Sequence, residues 1–140
     1  MTANFMNPSC TFCAPDSTSG AVWSDARCAV LLHEDSAVRG HAMVVWRAHV
    51  ENFSGLSEEE AEHFARVHRA AEKALLEVTG AERAVLLKLG IMTPHLHLHL
   101  YPVSSSLDRA AVLAVIEGKV REEREPDFVA RVAAALRLSS

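Results

Sequence analysis

Two periodicities of apolar and polar residues divide the chain into predicted strands and helices. Short segments in which apolar residues alternate with polar ones, or follow one another, predict β-strands. Apolar residues spaced by three and four positions over a long segment predict an amphipathic helix. The predicted strands lie at 21–23, 27–33, 41–46, 84–89 and 95–101.

The clearest predicted helix spans residues 56–78. Ser57 is a good N-cap, and Glu60, three residues later, completes a capping box. Acidic residues fill the first turn, where the helix dipole favours negative charge. The residues of the buried stripe are spaced as a helix requires: Ala61, Phe64, Ala65, His68, Ala71, Leu75 and Val78. Gly80 is expected to end the helix in a left-handed conformation.

The order of the predicted elements indicates an α+β fold. Short strands precede the long helix, two strands follow it, and two further helices are predicted at 107–119 and 127–136. We expect an antiparallel sheet of about five strands, although a βαβ crossover around the long helix is an alternative. The 140 residues are expected to form a single domain over 1–140. Within it, 1–19 is expected to be an irregular lead-in and 104–140 a helical extension.

Composition narrows the class of protein. The chain is 49% hydrophobic and 23% charged, which is typical of a globular protein. No segment approaches the ~20 apolar residues that a membrane span needs, and residues 1–15 lack the basic flank of a signal peptide. The net charge of −4, without a cluster of Lys and Arg, argues against nucleic-acid binding. We therefore expect a cytoplasmic protein without a nucleic-acid or membrane partner.

Three histidines alternate with three leucines over residues 95–100. Because side chains alternate along a strand, His95, His97 and His99 are expected to project from one face. Neighbouring histidines on that face are ~7 Å apart, close enough to act on one small ligand. A chance amphipathic strand is the alternative, but histidine is an uncommon residue for a solvent-exposed face. A zinc site built from all three is disfavoured because the outer pair is too widely separated.

The three cysteines indicate metal or thiol chemistry. Cys10 and Cys13 form a C-x-x-C pair, which supplies one half of a zinc site. Cys28 lies in an apolar strand and is expected to be a small core residue. An odd number of cysteines with this spacing does not indicate a disulfide framework. A redox pair and two unrelated thiols are the alternatives for the C-x-x-C.

The HLHLHLY segment at 95–101 resembles the signature of the histidine triad (HIT) superfamily. GHAMVVW at 40–46 is similar to the family's Gly-His strand, and His49 lies eight residues after His41, as in many members. The resemblance covers roughly residues 10–103. It implies a nucleotidyl hydrolase or transferase that cleaves a phosphoanhydride or phosphoramidate bond at a nucleoside α-phosphate. A purine nucleotide or dinucleoside polyphosphate is the implied substrate, and a homodimer the implied assembly.

The resemblance implies roles for several residues. His97 would be the nucleophile, because its ring matches the middle histidine of the motif. His99 and His41 would donate hydrogen bonds to phosphate oxygens. Many members carry Asn and Gln before the triad, but residues 88–94 contain neither, so the hydroxyl of Thr93 is expected to bind substrate instead. This absence favours the alternative of a nucleotide-binding regulatory protein with little turnover.

The resemblance extends to the zinc-containing bacterial-type HIT proteins. In those proteins a C-x-x-C, a histidine after the Gly-His strand and the first triad histidine share one zinc. Cys10, Cys13, His49 and His95 would therefore bind one structural Zn²⁺ per chain, and His95 would take no part in the reaction. A metal-binding interaction module is a further class of function that these ligands leave open.

Overall fold

The computed structural model describes residue 7, residues 9–35 and residues 37–136. Five strands form one antiparallel sheet in the order β1-β2-β3-β5-β4. They are β1 (Trp23–Ser24), β2 (Cys28–Leu32), β3 (Ala42–Trp46), β4 (Arg83–Leu87) and β5 (His97–Val103). The helices are α1 (Glu58–Thr79), α2 (Arg109–Ile116) and α3 (Phe128–Ala135), with short 3₁₀ helices at Thr11–Cys13 and Phe53–Gly55. The predicted α+β fold is confirmed.

The long helix crosses from one side of β5 to the other. α1 connects β3 to β4, and β5 inserts between these two strands in the sheet. Each described strand is therefore antiparallel to its neighbours. β3 and β4 therefore run parallel to each other with β5 between them, so the crossover around the long helix is present within an antiparallel sheet.

The ends of α1 follow from local chemistry. The backbone N–H of Glu60 donates to the Ser57 hydroxyl at 3.2 Å, and the Ser57 N–H donates to the Glu60 carboxylate at 2.8 Å. This reciprocal capping box satisfies two donors that the first turn leaves without intrahelical partners. At the other end, Gly80 has a φ of 76°, a conformation that favours glycine. Both predicted helix signals are confirmed.

The leucines of the histidine segment build the core. Leu96, Leu98 and Leu100 pack with Phe64 and Leu75 of α1 on one face of the sheet. Full burial of a leucine side chain contributes about 1.5–3 kcal/mol relative to exposure. This packing fixes which face of β5 points inward, and so it directs the intervening histidines to the opposite face. Cys28 is fully buried in the same core, as predicted.

The C-terminal helices cover different parts of the domain. α2 places Val115 against Tyr101 and Val103 of β5, on the face that carries the histidines. α3 packs against α1, and its Phe128 is fully buried. The two helices therefore lie on opposite faces of the sheet. No helix among residues 9–35 and 37–136 is long and apolar enough to cross a membrane.

Candidate active site and metal centre

Gly40 lets the chain carrying His41 approach β5. A Cβ atom at Gly40 would lie 2.4 Å from Cγ of Pro102, which no side chain tolerates without displacing the proline ring. His41 follows directly, just before β3, and is 4% exposed. The Gly-His pair thus places an imidazole ring deep beside the histidine face of β5.

His41 and His99 are joined by hydrogen bonds that set their tautomers. The backbone N–H of Ala37 donates to Nδ1 of His41 in a long hydrogen bond of 3.5 Å. The proton of His41 therefore lies on Nε2, which donates to Nδ1 of His99 at 2.9 Å. His99 then carries its own proton on Nε2 and can donate it to a ligand. We refer to this series of bonds as the His41–His99 relay.

His97 has the opposite arrangement. Its Nδ1 donates to the carbonyl oxygen of His95 at 2.6 Å, which assigns the lone pair of the neutral tautomer to Nε2. The ring is 8% exposed and lies 5.3 Å from the His99 ring and 4.8 Å from the Phe12 ring, centroid to centroid. A nucleophilic nitrogen and a hydrogen-bond donor are thus presented side by side.

Aromatic rings hold His41 on both sides. The His33 ring stacks on it at 4.3 Å with an interplanar angle of 4°, and the Tyr101 ring packs opposite at 4.3 Å. The motifs did not assign a role to His33. The register of the β2–β3 hairpin predicts its position, because the ladder that pairs Leu32 with Ala42 brings His33 opposite His41. The backbone N–H of His33 donates to the His41 carbonyl at 2.8 Å.

Burial keeps the histidines of this cluster neutral. Loss of solvent, with smaller effects from neighbouring charges, lowers the pKa of His41 to about 3 and that of His99 to about 4. The pKa of His33 is lowered for the same main reason. Neutral rings at pH 7 each offer one donor and one acceptor, which the His41–His99 relay requires.

The four predicted metal ligands lie together at the other end of the histidine segment. Cys10 Sγ is 3.3 Å from His95 Nδ1, and Cys13 Sγ is 3.6 Å from His95 Nδ1 and 3.4 Å from His49 Nδ1. All four ligand atoms are within 4.8 Å of one another. Ligand atoms of a tetrahedral Zn²⁺ are roughly 3.3–3.8 Å apart, given Zn–N and Zn–S bonds of about 2.0 and 2.3 Å.

The hydrogen bonding of His95 also suits a metal ligand. Its Nε2 donates to the carbonyl oxygen of Trp46 at 2.5 Å, so its Nδ1 faces the thiols with a free lone pair. Such a second hydrogen bond fixes the tautomer and orientation of metal-binding histidines. His95 precedes β5, which begins at His97, and its backbone N–H bonds to the Thr93 carbonyl instead of a neighbouring strand. The observed strand β5 therefore begins two residues later than the strand predicted at 95–101.

Two other polar groups lie outside these clusters. Thr93 lies in the turn before the triad, and its hydroxyl forms no hydrogen bond with another described residue. His63 pairs with Asp25 at 2.7 Å and ties α1 to the turn between β1 and β2. The neighbouring Cys28 thiol is an unsuitable metal ligand, because burial raises its pKa to about 12.

Two cavities flank the histidine cluster. One, of about 450 Å³, is lined by apolar side chains and carboxylates on the β2 side: Phe12, Leu31, Met43, Asp16, Glu34 and Asp35. The other, of about 320 Å³, lies between β5 and the end of α2, and its lining includes His41, His99, Tyr101 and Ile116. His33 borders both cavities.

The sequence profile of the HIT domain matches residues 14–105, about two thirds of the chain. The chain belongs to the HIT domain family. Members of this superfamily are generally nucleotide-binding proteins, hydrolases or transferases. The match ends shortly after β5, so α2 and α3 lie outside the matched region.

Solved HIT structures share the fold of this HIT protein. A Zn-bound histidine triad family protein from Mycobacterium smegmatis superposes with a TM-score of 0.67 at 22% identity, covering 91% of this chain and 93% of that one. A HIT protein from Sinorhizobium meliloti gives 0.66 at 19% identity, covering 83% and 88%. A hypothetical histidine triad nucleotide-binding protein from Sulfolobus tokodaii gives 0.64 at 21% identity, covering 91% and 89%.

Proposed function

We propose that this HIT protein is a nucleotidyl hydrolase or transferase that works through a covalent nucleotidyl-His97 intermediate. The observation that carries the proposal is the hydrogen bond from Nδ1 of His97 to the His95 carbonyl. It assigns the nucleophilic lone pair of the neutral tautomer to Nε2, next to His99, whose Nε2–H is available for a phosphate oxygen. Nucleotidyl transfer requires a nucleophile and, beside it, a hydrogen-bond donor to the phosphate.

The proposed reaction has two in-line displacements at the α-phosphorus. In the first, Nε2 of His97 forms a P–N bond while the P–O or P–N bond to the leaving group breaks. The leaving group departs with the bonding electron pair; a phosphate departs as an anion, and an amine takes a proton from solvent. In the second, water or another acceptor attacks the phosphorus, releases its proton to solvent and returns the imidazole.

The roles of the other histidines follow from their hydrogen bonds. The Nε2–H of His99 stabilises charge on a non-bridging phosphate oxygen as the transition state forms. His41 acts through His99, because its own Nε2 is already bonded to that ring. Thr93 remains a proposed substrate contact, since its turn leads directly to His95.

The cavity on the β2 side supports a purine nucleotide as substrate. Phe12, Leu31 and Met43 offer apolar surface for a base, and Phe12 also contacts the His97 ring. The carboxylates of Glu34 and Asp35 can accept hydrogen bonds from ribose hydroxyls. A nucleotide held in this way would present its α-phosphate to the histidines. Mononucleotides and dinucleoside polyphosphates share the nucleoside and α-phosphate that this arrangement would bind.

We propose one structural Zn²⁺ on Cys10, Cys13, His49 and His95, as in the zinc-containing bacterial-type members of the family. The sulfur and nitrogen donor set and its spacing support this assignment. Four protein ligands leave no open position for substrate, so the metal would supply structure alone. Zinc binding would tie the irregular lead-in, residues 1–19, to the residues before β5. The thiols are free, which fits the expected cytoplasmic location.

We also propose that two copies associate through the central helix and edge strand. β4 lies at the edge of the described sheet and carries the exposed Leu86. The loop that follows exposes Leu89, Ile91 and Met92, the last at 93%. Contiguous exposed apolar side chains of this kind mark interaction surfaces.

A substrate panel tests the proposed function. Purified protein would be incubated with a dinucleoside polyphosphate, a nucleoside phosphoramidate, a nucleotide sugar and an adenylyl sulfate, and released mononucleotide would be measured. We expect turnover of at least one, and a nucleotidyl adduct on His97 by mass spectrometry after acid-free quenching. Nucleotide binding without turnover or adduct would instead support the regulatory alternative, which the absence of Asn and Gln in 88–94 favours.

A further inference from the structure

Arg124 connects the C-terminal extension to the loop between β2 and β3. Its guanidinium donates to three backbone carbonyls: Nε to Arg39 at 2.6 Å, Nη1 to His33 at 2.8 Å and Nη2 to His41 at 3.0 Å. These acceptors all belong to residues 33–41, which we call the histidine loop. One planar side chain therefore holds both ends of that loop together.

Neighbouring residues of the extension reinforce the connection. Arg121 pairs with Asp35 at 3.3 Å, and the backbone N–H of Arg39 donates to Glu122 at 2.8 Å. Glu125 forms an ion pair with the Arg39 side chain. The residues 121–125 thus contact the histidine loop by both backbone and side-chain bonds, although they lie outside the family's matched region.

The histidine loop carries the first parts of the His41–His99 relay. It supplies the Ala37 N–H that fixes the tautomer of His41, the His41 ring itself and the His33 ring stacked on it. Ala37 and Val38 are buried in an apolar cluster with Tyr101 of β5 and Val115 of α2, whereas residues 34 and 35 at the tip are exposed. At the base of the loop, Arg124 bonds the carbonyls of His33 and His41, which carry the two stacked rings.

We infer that Arg124 is a positioning residue for catalysis: by fixing the carbonyls of His33 and His41, it keeps the His41 ring aligned to orient His99 toward the phosphate. This inference rests on the proposed function. Arginine suits the role because its rigid fork donates in several directions within one plane, whereas lysine offers a single flexible ammonium. The guanidinium lies over the fully buried Phe128 ring at 5.7 Å, which restricts its plane.

Arg131 provides a matched control. It lies over the same Phe128 ring at 6.0 Å and donates to the Val78 carbonyl at 3.4 Å, but it forms no hydrogen bond or ion pair with the described residues of the histidine loop. Replacing Arg131 removes its contact with Phe128, its bond to Val78 and its ion pair with Asp127, none of which involves the histidine loop. Any effect seen with Arg124 variants but not with Arg131→Ala therefore comes from the bonds to the loop.

The test compares Arg124→Ala, Arg124→Lys and Arg131→Ala in the full chain. A misplacement of catalytic groups by about 1 Å costs roughly a hundredfold in rate, so we expect kcat to fall about tenfold to a hundredfold in both Arg124 variants while KM changes less. Arg131→Ala should keep kcat within about twofold. Arg124→Lys retains the charge, so it remains informative if Arg124→Ala fails to fold.

Ring ¹⁵N NMR of labelled histidines supplies a readout independent of turnover. We expect a single Nε2–H tautomer for His41 in the wild type and in Arg131→Ala, and a tautomer mixture in Arg124→Lys. An unchanged His41 tautomer together with wild-type kcat in Arg124→Lys would overturn the inference. If the wild type turns over no nucleotide, the proposed function fails, and the NMR comparison still decides whether Arg124 positions His41.

Discussion

Nε2 of His41 lies 2.9 Å from Nδ1 of His99, and this single bond makes the two rings one functional unit. The Ala37 N–H fixes the tautomer at one end of the unit, and the bond to Nδ1 of His99 leaves the Nε2–H of that ring as the donor at the other. A residue that acts only through another contributes nothing once its partner is removed. The pair can therefore be examined by a double-mutant cycle.

We predict that His99→Ala lowers kcat by about 10²–10³-fold, the typical cost of removing one preorganised donor to a developing charge. His41→Ala should cost less, because His99 can still reach the phosphate with a less defined tautomer. The double variant should resemble His99→Ala alone, giving a large coupling term. Independent, additive losses in steady-state kcat would contradict the relay.

Removal of the nucleophile should be far more damaging. We predict that His97→Asn lowers turnover by several orders of magnitude, because no other group forms the covalent bond. Nucleotide affinity, measured by calorimetry, should change little, since the β2-side cavity does not include His97. A variant that keeps more than roughly a tenth of wild-type kcat would exclude the covalent mechanism.

The histidine face was predictable because its cause is local. A strand alternates its side chains whatever surrounds it, so the leucines that pack against α1 direct His97 and His99 to the other face. The capping box of α1 is equally local. The four thiol and imidazole groups of the proposed metal site were predicted through a family resemblance, since spacing along the chain indicates only the C-x-x-C half.

The contribution of the C-terminal extension was not predictable from sequence. Arg124 bonds to carbonyls 83 to 91 positions earlier, and backbone acceptors leave no pattern of side chains to detect. The role of His41 was expected to be direct contact with phosphate. Its bond to His99 depends on how closely β3 and β5 approach, which Gly40 and Pro102 determine through tertiary packing.

Loss of the metal should act on stability before rate. We predict that Cys13→Ser lowers the zinc content and the melting temperature together, because a ligand that binds only the folded state stabilises it by about 4 kcal/mol at a thousand times its Kd. The rate per folded molecule should persist. Cys28→Ala is the control: it also removes a buried thiol, but it should keep about one zinc per chain.

Two outcomes would contradict this assignment. Purified protein without metal, whose Cys13→Ser variant melts like the wild type, would leave the C-x-x-C without a structural role. Immediate loss of turnover on chelation, with no change in melting temperature, would indicate a catalytic metal and return His95 to the reaction.

The proposed homodimer is testable through its exposed apolar side chains. We predict that Ile91→Lys together with Leu86→Lys shifts the mass from dimer to monomer in size-exclusion chromatography with light scattering, because burial of a lysine ammonium is costly. The paired control is Val129→Lys, an exposed apolar position on α3. A wild type that is monomeric at micromolar concentration would contradict the proposal.

The low pKa values of the buried histidines predict a loss of stability in acid. The pKa of His41 is about 3 in the folded protein, whereas an unfolded histidine has its ordinary value near 6.5. As the pH falls from 6.5 toward 3, the unfolded chain therefore binds a proton that the folded chain does not. Each such residue lowers the free energy of unfolding by up to about 1.4 kcal/mol per pH unit, and His99 adds a similar effect down to its pKa of about 4.

We predict that His41→Asn reduces this pH dependence by about one proton, as measured by urea unfolding at pH 7, 6 and 5 with zinc held constant. The comparison isolates His41, because His33, His68 and His95, whose pKa values are also lowered by burial, are present in both proteins. The variant should be destabilised at pH 7 by loss of its bond to His99 and approach the wild type at pH 5. Parallel stability curves across this range would show that His41 is not held neutral in the folded protein, and the tautomers assigned to the relay would then be wrong.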